Sequence, residues 1–253
     1  MSVINYTNIA VSVNGSPVFA NSASYSFSVP IEGVRALGQK NAIANIPNGP
    51  VEGTLNIDYI ITTTDPGSTI FNSIINNPGG YNGTSVSIGG RNFVNAYLTS
   101  HSLTAEANSI VNGSLSFTVY DEGGGTMSSS TAGATTNSSI GHGTASAAVA
   151  NATSFEYNAS VEFEPAYVLN SAENIGVTFR SAQQTLDIRG FNLGKAITQC
   201  PEDAATVNVS IGAVCGGSNL VSISIAGGKI ATSESSVSAG GFVEGSYQII
   251  KNY

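Results

Sequence analysis

The sequence predicts an all-β chain with one short flanking helix, arranged as two tandem β-barrel or sandwich domains that arose by duplication. Three observations carry this. Apolar and polar residues alternate over short runs broken by Gly-Gly or Asn-Gly, the signature of half-buried strands joined by tight turns. The stretch 65–77 alone has helical spacing and helix end signals. The strand-rich stretch 84–120 also returns in worn form at 206–250. Val86-Ser87-Ile88-Gly89 recurs as Val209-Ser210-Ile211-Gly212, and Ser109-Ile110, Gly113 and Leu115 recur as Ser236-Val237, Gly240 and Phe242.

Residues 3–29 predict two or three strands. The first run alternates and turns at Asn14-Gly15, a strong hairpin signal. The next places Tyr25, Phe27 and Val29 on one face and Ser24, Ser26 and Ser28 on the other. Residues 32–53 break the pattern with Gly33, Gly38, Pro47, Gly49, Pro50 and Gly53, yet carry Val34, Leu37, Ile43, Ile46 and Val51. So long a loop with apolar residues implies a cover for them. It also holds Arg35 and Lys40, two of eight basic residues. Two readings stay open: an arm that packs on a neighbouring subunit, or an irregular hairpin folded over its own core.

Thr54 to Thr62 is the clearest strand, β-branched and cleanly alternating. In the helix that follows, Asp65 caps the free N–H groups and Pro66 suits the first turn. Ile70, Phe71, Ile74 and Ile75 form one stripe, and Pro78-Gly79-Gly80 ends it. Strands follow at 84–90, 92–102 and 110–120. Residues 122–147, rich in Gly, Ser, Thr and Ala, cannot bury enough apolar area to fold alone. They read as a linker or extended arm between a first domain, 1–121, and a second, 148–253.

The second domain replays the first. Phe19-Ala20-Asn21, Ser24-Tyr25 and Phe27 are matched 130 residues on by Val149-Ala150-Asn151, Ser154-Phe155 and Tyr157, as is Ile31-Glu32 by Val161-Glu162. Thr54 to Asp58 answers to Thr185 to Arg189 at an offset of 131, so the long loop is expected again at 163–184. The Val-Ser-Ile-Gly pair sits at an offset of 123 and the last glycine pair at 127. The second copy therefore lacks residues where the first has its helix, leaving only 194–199 there. Repeated patches in one order point to duplication.

Composition narrows the function. Charged residues are 9% of the 253, against roughly 25% in an average soluble protein. That suits a surface covered by copies of itself, or a wet, hydrogen-bonding exterior. The net charge of −8 argues against nucleic acid as a ligand, and an acidic surface facing DNA would instead repel it. No apolar run approaches the roughly 20 residues that cross a bilayer, and Met1 to Tyr6 lacks the features of a signal peptide. A cytosolic chain, or one assembled from the cytosol, is expected. Cys200 and Cys215 lack the spacing of a thiolate zinc site, and are read as either a disulfide or two reduced thiols.

Catalytic constellations are missing from the sequence. His101 and His142 are the only histidines, and neither sits in a nucleophile motif. His101 reads as a hydrogen-bonded sheet residue, and His142, flanked by glycines, is given no role. Neither glycine-rich nucleotide-binding nor phosphate-loop motifs occur, nor a calcium loop. No catalytic, cofactor-binding or metal-binding residue is assigned. Glu162, Glu164 and Glu156 share one strand face, side by side rather than opposed across a bond as a glycosidase needs. They read as an acidic stripe on a solvated face.

An early long loop (32–53), a flanking helix (65–77), paired hairpins (84–120) and tandem duplication together resemble the tail tube proteins of long-tailed bacteriophages. The resemblance implies a virion structural protein, made in the host cytoplasm, that carries no enzyme activity or cofactor and self-assembles into stacked rings around a DNA conduit. Two fused domains imply trimeric rings with six-fold pseudosymmetry. Partners would be further copies of itself, other tail proteins, and DNA passing through without specific binding, with no membrane for the monomer. Val34, Arg35, Leu37, Lys40, Ile43 and Ile46 would hold ring to ring. Asp58, Glu156, Glu162, Glu164 and Asp187 would line the lumen. The near loss of the helix from the second copy departs from the pattern and bears on whether that copy holds an equivalent ring position. The alternatives are another β-rich structural or adhesion module, such as a capsid decoration, baseplate or surface-layer protein, and an enzyme without a nameable site.

Overall fold

The computed structural model describes residues 9–38, 40–62, 64–120, 127–128, 140–145, 149–168, 174–194, 207–213 and 219–253. Antiparallel sheet dominates, with a single α-helix among these residues. Asn14 and Gly15 have φ of 51° and 74°, so the expected Asn-Gly turn closes a hairpin between β1 (Val11–Val13) and β2 (Ser16–Pro17). β3 (Ala20–Ser28) pairs with β6 (Glu52–Ile60), and between them a separate hairpin, β4 (Ile31–Val34) and β5 (Ala44–Pro47), projects away. β7 (Thr84–Ile88) pairs with β1 and with the start of β8 (Arg91–Glu106). β9 (Asn112–Val119) lies between β8 and β6.

The helix α1 (Pro66–Asn76) forms where expected. The Asp65 side chain accepts from the backbone N–H groups of Gly67 and Ser68, Pro66 occupies the first turn, and Ile70, Phe71 and Ile74 are buried.

In the second half β11 (Ala152–Tyr167) pairs with β12 (Asn174–Phe191), β12 with β16 (Val243–Asn252), and β16 with β15 (Lys229–Val237). This repeats the order β3-β6-β9-β8 of the first half. The halves join where β11 pairs with the end of β8, giving one run β3-β6-β9-β8-β11-β12-β16-β15, from which β7, β1 and β2 branch. A second, three-stranded sheet consists of β10 (Gly141–Ala145), β13 (Val207–Ala213) and β14 (Asn219–Ile225). β10 lies inside the low-complexity stretch read as a linker. Its Gly, Thr and Ala residues give no alternation to detect, and pairing with β13 supplies the order.

The pairing register aligns the halves better than letter matching. β3–β6 slips at Asn21 and β11–β12 at Thr153, while β8–β9 slips at Thr99 and β15–β16 at Ala231. Both bulges recur 132 residues later. Leu55↔Phe117 and Ile57↔Leu115 answer to Leu186↔Ile249 and Ile188↔Tyr247. The counterpart of Gly113 is therefore Gly245, not Gly240, which lies in the turn before β16 with φ of 81°. Matches of Gly and Ser slide easily in a chain rich in both, whereas backbone hydrogen bonds fix register. Likewise Gly89-Gly90, leading into β8, answers to Gly227-Gly228, leading into β15, so β14 takes the sequence place of β7. The expected second long loop at 163–184 is instead a continuation of β11 and β12, paired out to Tyr167↔Asn174.

One apolar cluster underlies the whole run. Leu55, Ile57 and Tyr59 of β6, Leu98 and Leu103 of β8, and Leu115 and Phe117 of β9 belong to it. So do Tyr157 of β11, Leu186 and Ile188 of β12, and Ile249 of β16. α1 adds Phe71 and Ile74, and β14 adds Val221, Ile223 and Ile225.

Candidate functional site: an acidic sheet face and a projecting hairpin

Period-two alternation sends the apolar residues of each strand to the cluster and the intervening ones to the opposite face. That face carries Ser22, Ser24, Ser26 and Ser28 of β3, Thr54 and Asn56 of β6, Ser114, Ser116 and Thr118 of β9, and Ser100, Ser102 and Thr104 of β8. Across the junction it continues with Asn158 and Ser160 of β11, Gln183 and Thr185 of β12, and Ser246 and Gln248 of β16. Short polar side chains bridge neighbouring strands: Ser116 Oγ donates to Asn56 Oδ1 at 2.8 Å, and Gln183 Nε2 to Asn252 Oδ1 at 2.8 Å.

Asp58, Glu156, Glu162 and Asp187 all lie on this face. Ser22 Oγ donates to Asp58 at 2.7 Å and Ser181 Oγ to Glu162 at 2.8 Å. Glu156 and Asp187 stand directly opposite each other on β11 and β12. Their repulsion is relieved by amide donors, Asn158 to Glu156 at 3.1 Å and Gln248 to both oxygens of Asp187 at 3.0 and 3.1 Å. Glu164 shares the parity of Glu162 but forms an ion pair with Arg180, the bulged residue of β12. Four carboxylates that sequence reasoning did not assign join them: Glu52 of β6, Glu106 of β8, Glu234 of β15 and Glu244 of β16. Spacing alone could have found Glu52, six residues before Asp58 in one strand; Glu234 and Glu244 needed the register. The basic residues that the register places on this face are Arg189 of β12 and Lys229, opposite Ile250 at the start of β15. Near the β15 side the face hollows into an open groove of about 750 Å³, lined by Ser154, Arg189, Glu234, Ser236, Glu244 and Ser246 among others.

The β4–β5 hairpin places Val34, Arg35, Leu37, Lys40, Ile43 and Ile46 in solvent. Ile31 is 68% exposed and Leu37 fully so, which differs from the reading in which the loop folds over its own core. The extended end of β11–β12 likewise exposes Tyr167, Val168 and Ile175.

A second cluster lies on the buried face, unrecognised in the sequence. Asp65 accepts from Tyr59 Oη, from Ser68 N at 2.8 Å and from His101 Nε2 at 3.1 Å, and the three side chains are sealed from solvent. Burial alone would raise the Asp65 carboxyl. The electrostatic interaction with His101 and the hydrogen bonds from His101, Ser68 and Tyr59 outweigh that and hold it well below the usual carboxylate range. Burial first, then the Asp65 charge, pushes the Tyr59 phenol well above its ordinary value. The backbone of Gly67 lies against the His101 ring, and Tyr157 meets that ring edge-on. A proton-transfer role needs access to substrate, and here His101 Nε2 is committed to Asp65 with no solvent exposure. The cluster clamps the start of α1 to β8.

Among the described residues no group of three or more His, Cys, Asp or Glu is placed to hold a metal ion, and no helix is long and apolar enough to cross a membrane. Cys200 and Cys215 lie outside the described residues. Fold and site define a β-sheet protein with an apolar face under its core and a solvated acidic face. Compared with known proteins, the sequence matches no family model and no curated protein.

Proposed function

We propose that the chain is the major tube subunit of a bacteriophage tail, a virion structural protein that self-assembles into stacked rings around a DNA conduit. The observation that carries this is the acidic face: one sheet face running through both halves, lined by hydroxyl, amide and carboxylate groups, with Arg189 and Lys229 outnumbered among them. A channel for DNA needs a wall that is wetted yet holds no phosphate, and such a face repels a polyanion where a basic one would bind it. The repeated strand order supports trimeric rings of six-fold pseudosymmetry, since each copy supplies two like sets of strands. The exposed β4–β5 hairpin, with Leu37, Ile43 and Ile46 uncovered, supports contact between rings over a self-contained decoration or adhesion module. The partners are further copies, other tail proteins and passing DNA, and no residue is assigned to catalysis.

Negative-stain microscopy of the concentrated protein tests this. Stacked rings with an open channel are expected, and dispersed monomers at high concentration would overturn it.

A further inference from the structure

Among the described residues the acidic sheet ends on β3 and β15. Among the described residues β3 pairs only with β6 and β15 only with β16, and each strand is 9 residues long. Long open edges are unusual in proteins that remain alone, because their unpaired N–H and C=O groups template association. The molecule contains a worked example of how two such edges meet. β8, last in the first half's order, pairs antiparallel with β11, first in the second's, from Ser100↔Ser160 to Glu106↔Ser154. The 132-residue spacing makes β15 the counterpart of β8 and β3 the counterpart of β11.

We propose that β15 of one copy pairs with β3 of the next, in the register that joins β8 to β11, so that the acidic face continues head to tail from copy to copy. The inference rests on the self-assembly reading and names its contact. Shifting the internal register by 132 residues sets Ser24 opposite Ser236 and Ser26 opposite Glu234 on the acidic face, with Ala23 opposite Val237 on the other. The side chains suit these places. The first pairs are small or hydrogen-bonding. Val237 is 70% exposed in the single copy and meets Ala23 where the internal junction sets buried Ala105 against buried Phe155. β3 bears no charge to oppose Glu234. Such a contact joins two different surfaces, so repetition closes a ring or winds a filament.

Cysteine pairing between copies tests the register. With Cys200 and Cys215 replaced by serine, a Ser24→Cys preparation is mixed with a Ser236→Cys preparation and oxidised. A linked dimer is expected, with yield about tenfold lower for Ser24→Cys with Ser235→Cys, since a one-residue step turns the side chain to the opposite face. Particles with a channel but no Ser24–Ser236 link overturn the edge pairing and leave the tube reading standing. A specific link without a channel supports the pairing and overturns the tube reading; neither link nor particles overturns both. Should the serine background fail to fold, hydrogen exchange in the unaltered chain serves. Amides within 22–28 and 232–237 are expected to slow on assembly by at least about tenfold, and unchanged exchange in both segments overturns the pairing.

Discussion

Replacing Asp65 with alanine removes the acceptor on which α1, β6 and β8 converge. The helix loses its N-cap, a change of about 1 kcal/mol. The Tyr59 hydroxyl and His101 ring, both buried, lose a shared acceptor, at roughly 1–3 kcal/mol for each unmet group. These effects overlap, because one carboxylate serves every donor, so the expected total is that of breaking a buried pair, about 3–5 kcal/mol. Against a usual stability of about 5–15 kcal/mol that is severe. At roughly 2–4 °C per kcal/mol for a chain of this size, Tm falls by about 6–20 °C. Urea unfolding of the dispersed protein, followed by circular dichroism, measures it. A loss under about 1 kcal/mol would refute the view that this cluster fastens the helix.

Acid titration gives an independent check. The folded Asp65 carboxyl lies below its ordinary value of 3.8. Its contribution is therefore complete above that value and declines as pH falls toward the folded one. Asp65→Asn keeps the shape and a capping oxygen, so the variant starts less stable and loses less between pH 4 and lower pH. Parallel acid limbs for the two proteins would contradict the assignment.

Three further outcomes follow from the geometry. Gly113→Ala would press a methyl group onto the Tyr59 ring and Gly245→Ala would press one onto the Leu193 carbonyl, so both should lose roughly 1–3 kcal/mol in urea unfolding; a neutral Gly245→Ala would count against the equivalence of β9 and β16. Glu156→Lys with Glu162→Lys changes only solvated positions and should alter stability by no more than about 0.5 kcal/mol. The assembled variant should retain DNA in a filter assay at low salt and release it as salt rises, and indifference to DNA would argue against an acidic lining. Leu37→Asp with Ile43→Asp should leave the monomer's melting unchanged but shorten tubes to single rings in the microscope, and long tubes would remove the hairpin from ring stacking.

Strand existence and facing were legible because both are local. Tyr25 and Phe27 against Ser24 and Ser26 is a period-two pattern that needs no partner, and the Asp65-Pro66 start of α1 is written in adjacent residues. Partnership was not legible. Asp65 was readable as a cap and His101 as a hydrogen-bonded sheet residue, yet nothing in the 35 intervening positions says that they meet. The acidic face divides in the same way. Asp58, Glu156, Glu162 and Asp187 came from parity within their own strands, whereas Glu234 and Glu244 required the slip at Ala231 that sets β15 against β16. The repeat was legible in element order but not in alignment, since matches such as Gly113 with Gly240 were anchored on the commonest residues. What fixes the alignment is physical. Within a strand one inserted residue turns every later side chain to the wrong face, putting Leu186 or Ile249 in the acidic layer and Asp187 or Gln248 in the core. The halves therefore differ freely in the β4–β5 hairpin, the helix and the strands before the glycine turns, while the bulges at Asn21 and Thr99 return at one unchanged spacing. A constraint on facing that holds through both halves, and equally through the β8–β11 junction between them, is what a single continuous wall requires.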